Sequence, residues 1–240
     1  MAGHSKWANI KHKKERADAQ KGKIFSRVSK EIISAVKVGG ADPKSNARLR
    51  LAIEKAKAAN VPNENIERNI KKAANVDQTD YTSITYEIYG HGGVGMLVEM
   101  MTDNKNRAAS DIRIAINKRG GSIGSPGSVA FNFDRKGVIQ VASNEENEEV
   151  LFQATIEAGA EDFEAVEEGY MITTDPADLY IVKEKLEEKG IVTVGVDIEM
   201  IPKTLVVCDE ETQRSNLALI EWLEDLDDVN NVYHNMDTNS

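Results

Sequence analysis

The 240 residues contain one cysteine, Cys208, so no intrachain disulfide can form and the stapled frameworks of small secreted domains are excluded. A reducing compartment fits that usage. No apolar run approaches the roughly 20 residues a membrane span requires, and the cationic N-terminus lacks the apolar stretch of a secretory signal. The sequence therefore predicts a cytoplasmic protein with no membrane partner. Only four histidines occur, His4, His12, His91 and His234, and neither they nor Cys208 show the close pairing of a zinc site, so neither metal nor cofactor is expected. No fixed-period repeat, low-complexity tract or dimerisation heptad is present.

What the chain does have is charge, unevenly placed. Residues 1–76 hold 18 Lys and Arg against 7 Asp and Glu, a net of +11. Residues 77–240 hold 12 against 33, a net of −21, so the overall −10 and the pI near 5.0 average a basic module with an acidic remainder. In the opening arm Lys6, Lys11, Lys13, Lys14 and Arg16 surround Trp7. From about Lys23 a helical period begins, which sets Lys23, Arg27, Lys30 and Lys37 on one stripe and Phe25, Val28, Ile32 and Val36 on the opposite face. Such a stripe is either an ordinary solvated face or a phosphate contact, and the segregation of charge favours the contact. Lysine and arginine neutralise phosphates, and a tryptophan can stack on an unpaired base.

Taken in order, Gly39 and Gly40 end the first helix and Asp42-Pro43 is read as opening a second, with Leu49, Ala52, Ile53 and Ala56 inward and Lys44, Arg48 and Lys55 outward. A third helix, 63–74, completes a small bundle. The polar stretch 75–80 is a linker. Two strands, 81–89 and 94–101, flank Gly90-His91-Gly92-Gly93. A helix capped by Asp103 runs to about Arg119, a glycine-rich loop follows, and a strand is expected over Val129–Asp134. Residues 138–200 then spell β-α-β-β-α-β, the ferredoxin-like split motif, which closes on itself. A strand near Leu205–Val207, a helix over 210–226 and a strand over 230–233 finish what precedes it. The predicted fold is α+β: a three-helix bundle (1–76), a discontinuous sandwich domain (77–135 and 203–240), and a ferredoxin-like domain (136–202) inserted into it.

Two glycine loops invite an enzymatic reading. Gly90–Gly95 lacks the helix that must follow a phosphate-cradling loop, so a tight hairpin is the better account. Gly120-Gly121-Ser122-Ile123-Gly124 matches G-x-S-x-G but follows a helix and precedes a strand, the reverse of a nucleophile elbow. Glu224–Asp228 reads as solvated surface, or as a surface for a basic protein partner. Arg107 and Lys118, on one side of their helix, are a solvated pair or an extension of the cationic surface. Three functional classes follow from the residues: a nucleic-acid binder, an enzyme built on the glycine loops, and a protein adaptor.

Ala2-Gly3-His4-Ser5-Lys6-Trp7-Ala8-Asn9-Ile10-Lys11-His12-Lys13-Lys14 closely resembles the start of the YebC family, whose mitochondrial relatives are translational activators of a cytochrome oxidase subunit. The resemblance continues through Gly39-Gly40-Ala41-Asp42-Pro43, Asn60-Val61-Pro62, Thr102-Asp103-Asn104-Lys105-Asn106-Arg107, Gly120-Gly121 to Gly127-Ser128-Val129, and Leu226-Asp227-Asp228-Val229. Local departures are His91 in place of a common proline, Ile88 in place of a glycine, and Ala73-Ala74-Asn75 where a glycine usually ends the third helix. The resemblance implies a three-domain, non-enzymatic, cytoplasmic protein, described in the family either as a DNA-binding transcriptional regulator or as a ribosome-associated factor, contacting rRNA or tRNA, that relieves stalling at proline-rich stretches. The expected nucleic-acid contacts are Lys6, Trp7, Lys11, Lys13, Lys14, Arg16, Lys23, Arg27, Lys30, Lys44, Arg48 and Lys55.

Overall fold

A computed structural model describes residues 7, 9–10, 21–74, 80–142, 148–166 and 169–238. The chain divides into two compact units, one built on Phe133–Ile201 and joined by Trp7, the other on Ala8–Asn132 with Pro202–Ser240.

The larger unit opens with α1 (Lys21–Gly39), α2 (Ala47–Ala58) and α3 (Asn63–Ala73). Val28, Ile32, Ala35 and Val36 of α1 close on Leu49, Ala52, Ala56, Val61, Ile66 and Ala73. Phe25, expected on that apolar face, is instead exposed. The link from α1 to α2 also differs from the sequence reading. Asp42 makes a local turn by accepting from the Lys44 N–H, and Asn46 caps α2 through the Leu49 N–H. Asn46 is buried because its amide also donates to the Ala35 and Gly40 carbonyls, so one side chain joins both helix ends. Gly39 must be glycine here: a Cβ would lie 2.7 Å from the Asn46 amide nitrogen. α2 ends in a Schellman turn, with Asn60 left-handed at φ 58 and the Val61 N–H returning 2.9 Å to the Ala56 carbonyl.

The rest of this unit is an antiparallel sheet, ordered β3-β1-β2-β8, from β1 (Thr82–Tyr89), β2 (Gly95–Thr102), β3 (Ser122–Ile123) and β8 (Val229–His234). α4 (Lys105–Arg119) and α7 (Glu210–Asp225) bury Ala108, Ile112, Leu219, Ile220 and Leu223 against Ile88, Met96, Val98 and Met100 of the sheet. Asn104, not Asp103, caps α4, by accepting from the Asn106 and Arg107 N–H groups. The strand expected at Val129–Asp134 does not form: 130–132 is a single 3₁₀ turn, and Phe133 begins a strand of the other sheet. The reason is Glu87 in β1. Its carboxylate takes the N–H groups of Gly127, Val129 and Ala130 at 2.5–2.8 Å, which removes the donors a ladder would use. Leu205–Val207 likewise contributes only one bridge, Val206 to Met236.

The smaller unit comprises β4 (Phe133–Ala142), α5 (Glu148–Ala158), β5 (Asp162–Val166), β6 (Gly169–Thr174), α6 (Leu179–Glu188) and β7 (Thr193–Pro202). Its sheet order is β5-β6-β4-β7, the split β-α-β-β-α-β arrangement. Ile139, Val141 and Ile172 pack under Leu151, Leu179, Val182 and Leu186 of the two helices. Among the described residues, no helix is long and apolar enough to cross a membrane.

Candidate nucleic-acid interface

The twelve nominated residues separate into three groups. Lys6, Lys11, Lys13, Lys14 and Arg16 lie outside the described residues. Trp7 is buried, at 6% exposure, and its indole Nε1 donates to the Glu164 carboxylate of β5. A ring held in this way does not offer a face to a base, so the stacking role predicted for Trp7 is not seen.

Lys23, Arg27 and Lys30 are taken up by the protein itself. Consecutive turns of α1 point them at the C-terminal end of α7, where the last carbonyls of a helix have no intrahelical donor and the helix dipole is negative. Lys23 Nζ donates to the Asp225 carbonyl at 2.6 Å and to its carboxylate at 2.8 Å, and Arg27 Nη2 donates to the Glu224 carbonyl. Lys30 Nζ reaches the Asp227 carbonyl and Asp228 Oδ1, both at 2.9 Å. The stripe that reads as a phosphate contact is a composite cap. Burial pulls the Arg27 pKa below its ordinary value, against the opposing effect of Glu224 and Asp225.

Asp228 is the centre of the arrangement: within Glu224–Asp228, expected to be solvated, Asp225 and Asp227 are exposed while Glu224 and Asp228 are buried. Asp228 is 3% exposed. Lys30 donates to one carboxylate oxygen, while Arg107 Nε and Nη2, at 3.0 and 2.7 Å, and Thr102 Oγ1, at 2.8 Å, donate to the other. Burial alone would raise the carboxyl pKa, and the donors from Lys30, Arg107 and Thr102 outweigh it, leaving it below the ordinary range. The Arg107 pKa is raised by its hydrogen bonds to Asp228 and Asp103. Thr102–Arg107 and Leu226–Val229, distant in sequence, are thus two halves of one cluster.

In the third group Lys44 and Arg48 are exposed, Arg48 donating to Ser34 Oγ at 3.2 Å, while Lys55 is half-buried and lies 3.9 Å from the Glu31 carboxylate. Lys57, Lys71 and Lys72, in the last turns of α2 and α3, are exposed as well. With Lys44 they form no ion pair among the described residues.

The glycine loops are structural. His91–Gly93 is a 3₁₀ turn closing the β1–β2 hairpin, and the Asn216 side chain both accepts from the His91 N–H and donates to its carbonyl. Ser122 lies in β3, paired with Tyr89 of β1. Gly121, at φ 104, brings the backbone so near Tyr89 that a Cβ would sit 2.7 Å from the Tyr89 carbonyl oxygen.

The fold and this cluster define a class: a basic three-helix module clamped by its own cations to an acidic α+β body, with a second, ferredoxin-like unit spliced into the chain. The chain belongs to the TACO1/YebC family, whose N-terminal domain matches residues 5–76 and whose second and third domains match residues 81–236. A "Probable transcriptional regulatory protein" of Protochlamydia amoebophila is 63% identical over 236 residues, covering 98% of this chain and 96% of that one. One from Chlamydia pneumoniae is 61% identical over 237 residues, covering 98% and 100%. The crystal structure of a conserved hypothetical protein from Aquifex aeolicus, 45% identical, superposes with a TM-score of 0.81 and covers 91% of each chain.

Proposed function

We propose that this protein is a non-enzymatic, nucleic-acid-binding regulator of gene expression in the cytoplasm, acting as a DNA-binding regulator of transcription. The observation that carries the reading is the +11 charge of residues 1–76 against −21 for the remainder. The names of the relatives agree with it. Lys23, Arg27 and Lys30 belong to the clamp, so the contact falls to Lys6, Lys11, Lys13, Lys14 and Arg16 of the arm and to Lys44, Arg48 and Lys55, with Lys57, Lys71 and Lys72 strengthening the field. These residues neutralise phosphates without reading sequence.

Titration of a labelled DNA duplex across a salt series tests this. If about six phosphates are neutralised, log affinity falls against log salt with a slope of roughly −4 to −5. A flat dependence removes the electrostatic basis. Crosslinking in cells followed by sequencing assigns the process: promoter DNA supports transcription, and ribosomal RNA overturns that assignment in favour of translation.

A further inference from the structure

The acidic part of the chain carries an exception to its own charge. Of the 12 Lys and Arg in residues 77–240, five lie in the 15 residues of α4: Lys105, Arg107, Arg113, Lys118 and Arg119. One carboxylate, Asp111, accompanies them, where the remaining residues of that stretch hold 32 of its 33. Arg107 is committed to Asp228 and Asp103, and the Arg119 guanidinium lies 5.1 Å from the Trp222 ring centre. Lys105, Arg113 and Lys118 are exposed and form no ion pair among the described residues. Nor can they form one within the helix: the positions four residues from each are Ala109, Asn117 and Ile114.

The geometry of the helix sharpens this. Ala108, Ile112, Ala115 and Ile116 are buried. At about 100° per residue, Asn106, Ser110, Arg113 and Asn117 fall within one narrow sector on the opposite side, and all four are exposed. Three neutral hydrogen-bonding side chains and an arginine line a stripe about 16 Å long, roughly the rise of five base pairs. The adjoining α7 exposes Glu210, Glu211 and Glu221. That helix also exposes Arg214, so its outward charge is mixed but net acidic. At its N-terminal end α4 meets the bundle through Asp228, which Lys30 and Arg107 share.

We propose that the outward face of α4 is a second contact for the sugar–phosphate backbone of a nucleic acid, continuous with the basic bundle. Arg113 supplies charge on the stripe and Lys118, about 100° round the helix from Asn117, flanks it, while Asn106, Ser110 and Asn117 donate hydrogen bonds to phosphate oxygens. This rests on the nucleic-acid reading of the bundle.

The test uses the full chain with a labelled DNA duplex and an RNA hairpin as separate probes, over a salt series. Three proteins are compared: the unaltered chain, Arg113→Glu with Lys118→Glu, and Lys44→Glu with Arg48→Glu. The α4 pair is expected to weaken binding at least tenfold at low salt and to flatten the salt slope by about 2. Loss with both probes supports a shared backbone contact, and loss with one alone names the nucleic acid that lies there. Arg113→Gln with Lys118→Gln should flatten the slope similarly at an unchanged melting temperature, which separates lost contact from misfolding. Unaltered affinity and slope for the α4 pair with both probes, while the Lys44/Arg48 pair is weakened, overturns the inference. A failure of the unaltered chain to bind overturns the bundle reading itself, and shows in the first titration.

Discussion

Asp228 shows how much one carboxylate can be asked to hold. Asp228→Asn removes the counter-charge of Lys30 and leaves Arg107 with Asp103 alone. Removing one partner of a fully buried pair costs about 3–5 kcal/mol, and since Arg107 is half exposed about 2 kcal/mol is expected here. At this chain length that is a fall of about 6 °C in melting temperature, checked by calorimetry. The sign with pH follows from the depressed pKa: the stabilisation is complete above the unfolded carboxyl value near 4 and is lost as pH falls through the lower folded value. Acid unfolding of Asp228→Asn should accordingly be shallower than that of the parent in the same window. Glu87 does comparable work on backbone: Glu87→Gln should cost about 1 kcal/mol, seen as roughly fivefold faster exchange of the Gly127, Val129 and Ala130 amides.

At the level of elements, the helices and most strands were legible because each carries its period and its stops. Asn60-Val61-Pro62 ends α2, the buried set of α4 has helical spacing, and the split motif announces its six elements in order. What could not be read was the partner of each charged surface. A cationic stripe has the same pattern whether it faces water, phosphate or the C-terminal carbonyls of another helix, and α7 lies about 200 residues away from α1 in sequence. Glu224–Asp228 was ambiguous for the same reason. The strand expected at Val129 failed because local β-propensity carries no sign that a distant glutamate has claimed the amides. The cap role of α1 makes its own prediction. Lys23→Gln with Arg27→Gln should lower the melting temperature by several degrees, for about 1–2 kcal/mol, while duplex affinity stays within about twofold. A large loss of affinity at unchanged stability would return these residues to the binding surface.

For the molecule as a whole, the clamp changes how truncation experiments must be read. Removing residues 1–76 would delete the cationic module and also strip Lys30 from Asp228 and the donors from the end of α7. Charge reversal at Lys44 and Arg48 is the cleaner probe, since neither side chain supports a neighbouring domain.

The chain leaves the larger unit at Asn132 and comes back at Pro202, and the two passages of backbone are joined there. The Lys203 N–H donates to the Asn132 carbonyl at 2.8 Å, and the Asn132 side chain exchanges bonds with Thr204. Those ends need no intervening 70 residues to find each other. A short glycine bridge from Asn132 to Lys203 should therefore leave the larger unit folded, at the cost of exposing Trp7, whose indole would lose Glu164.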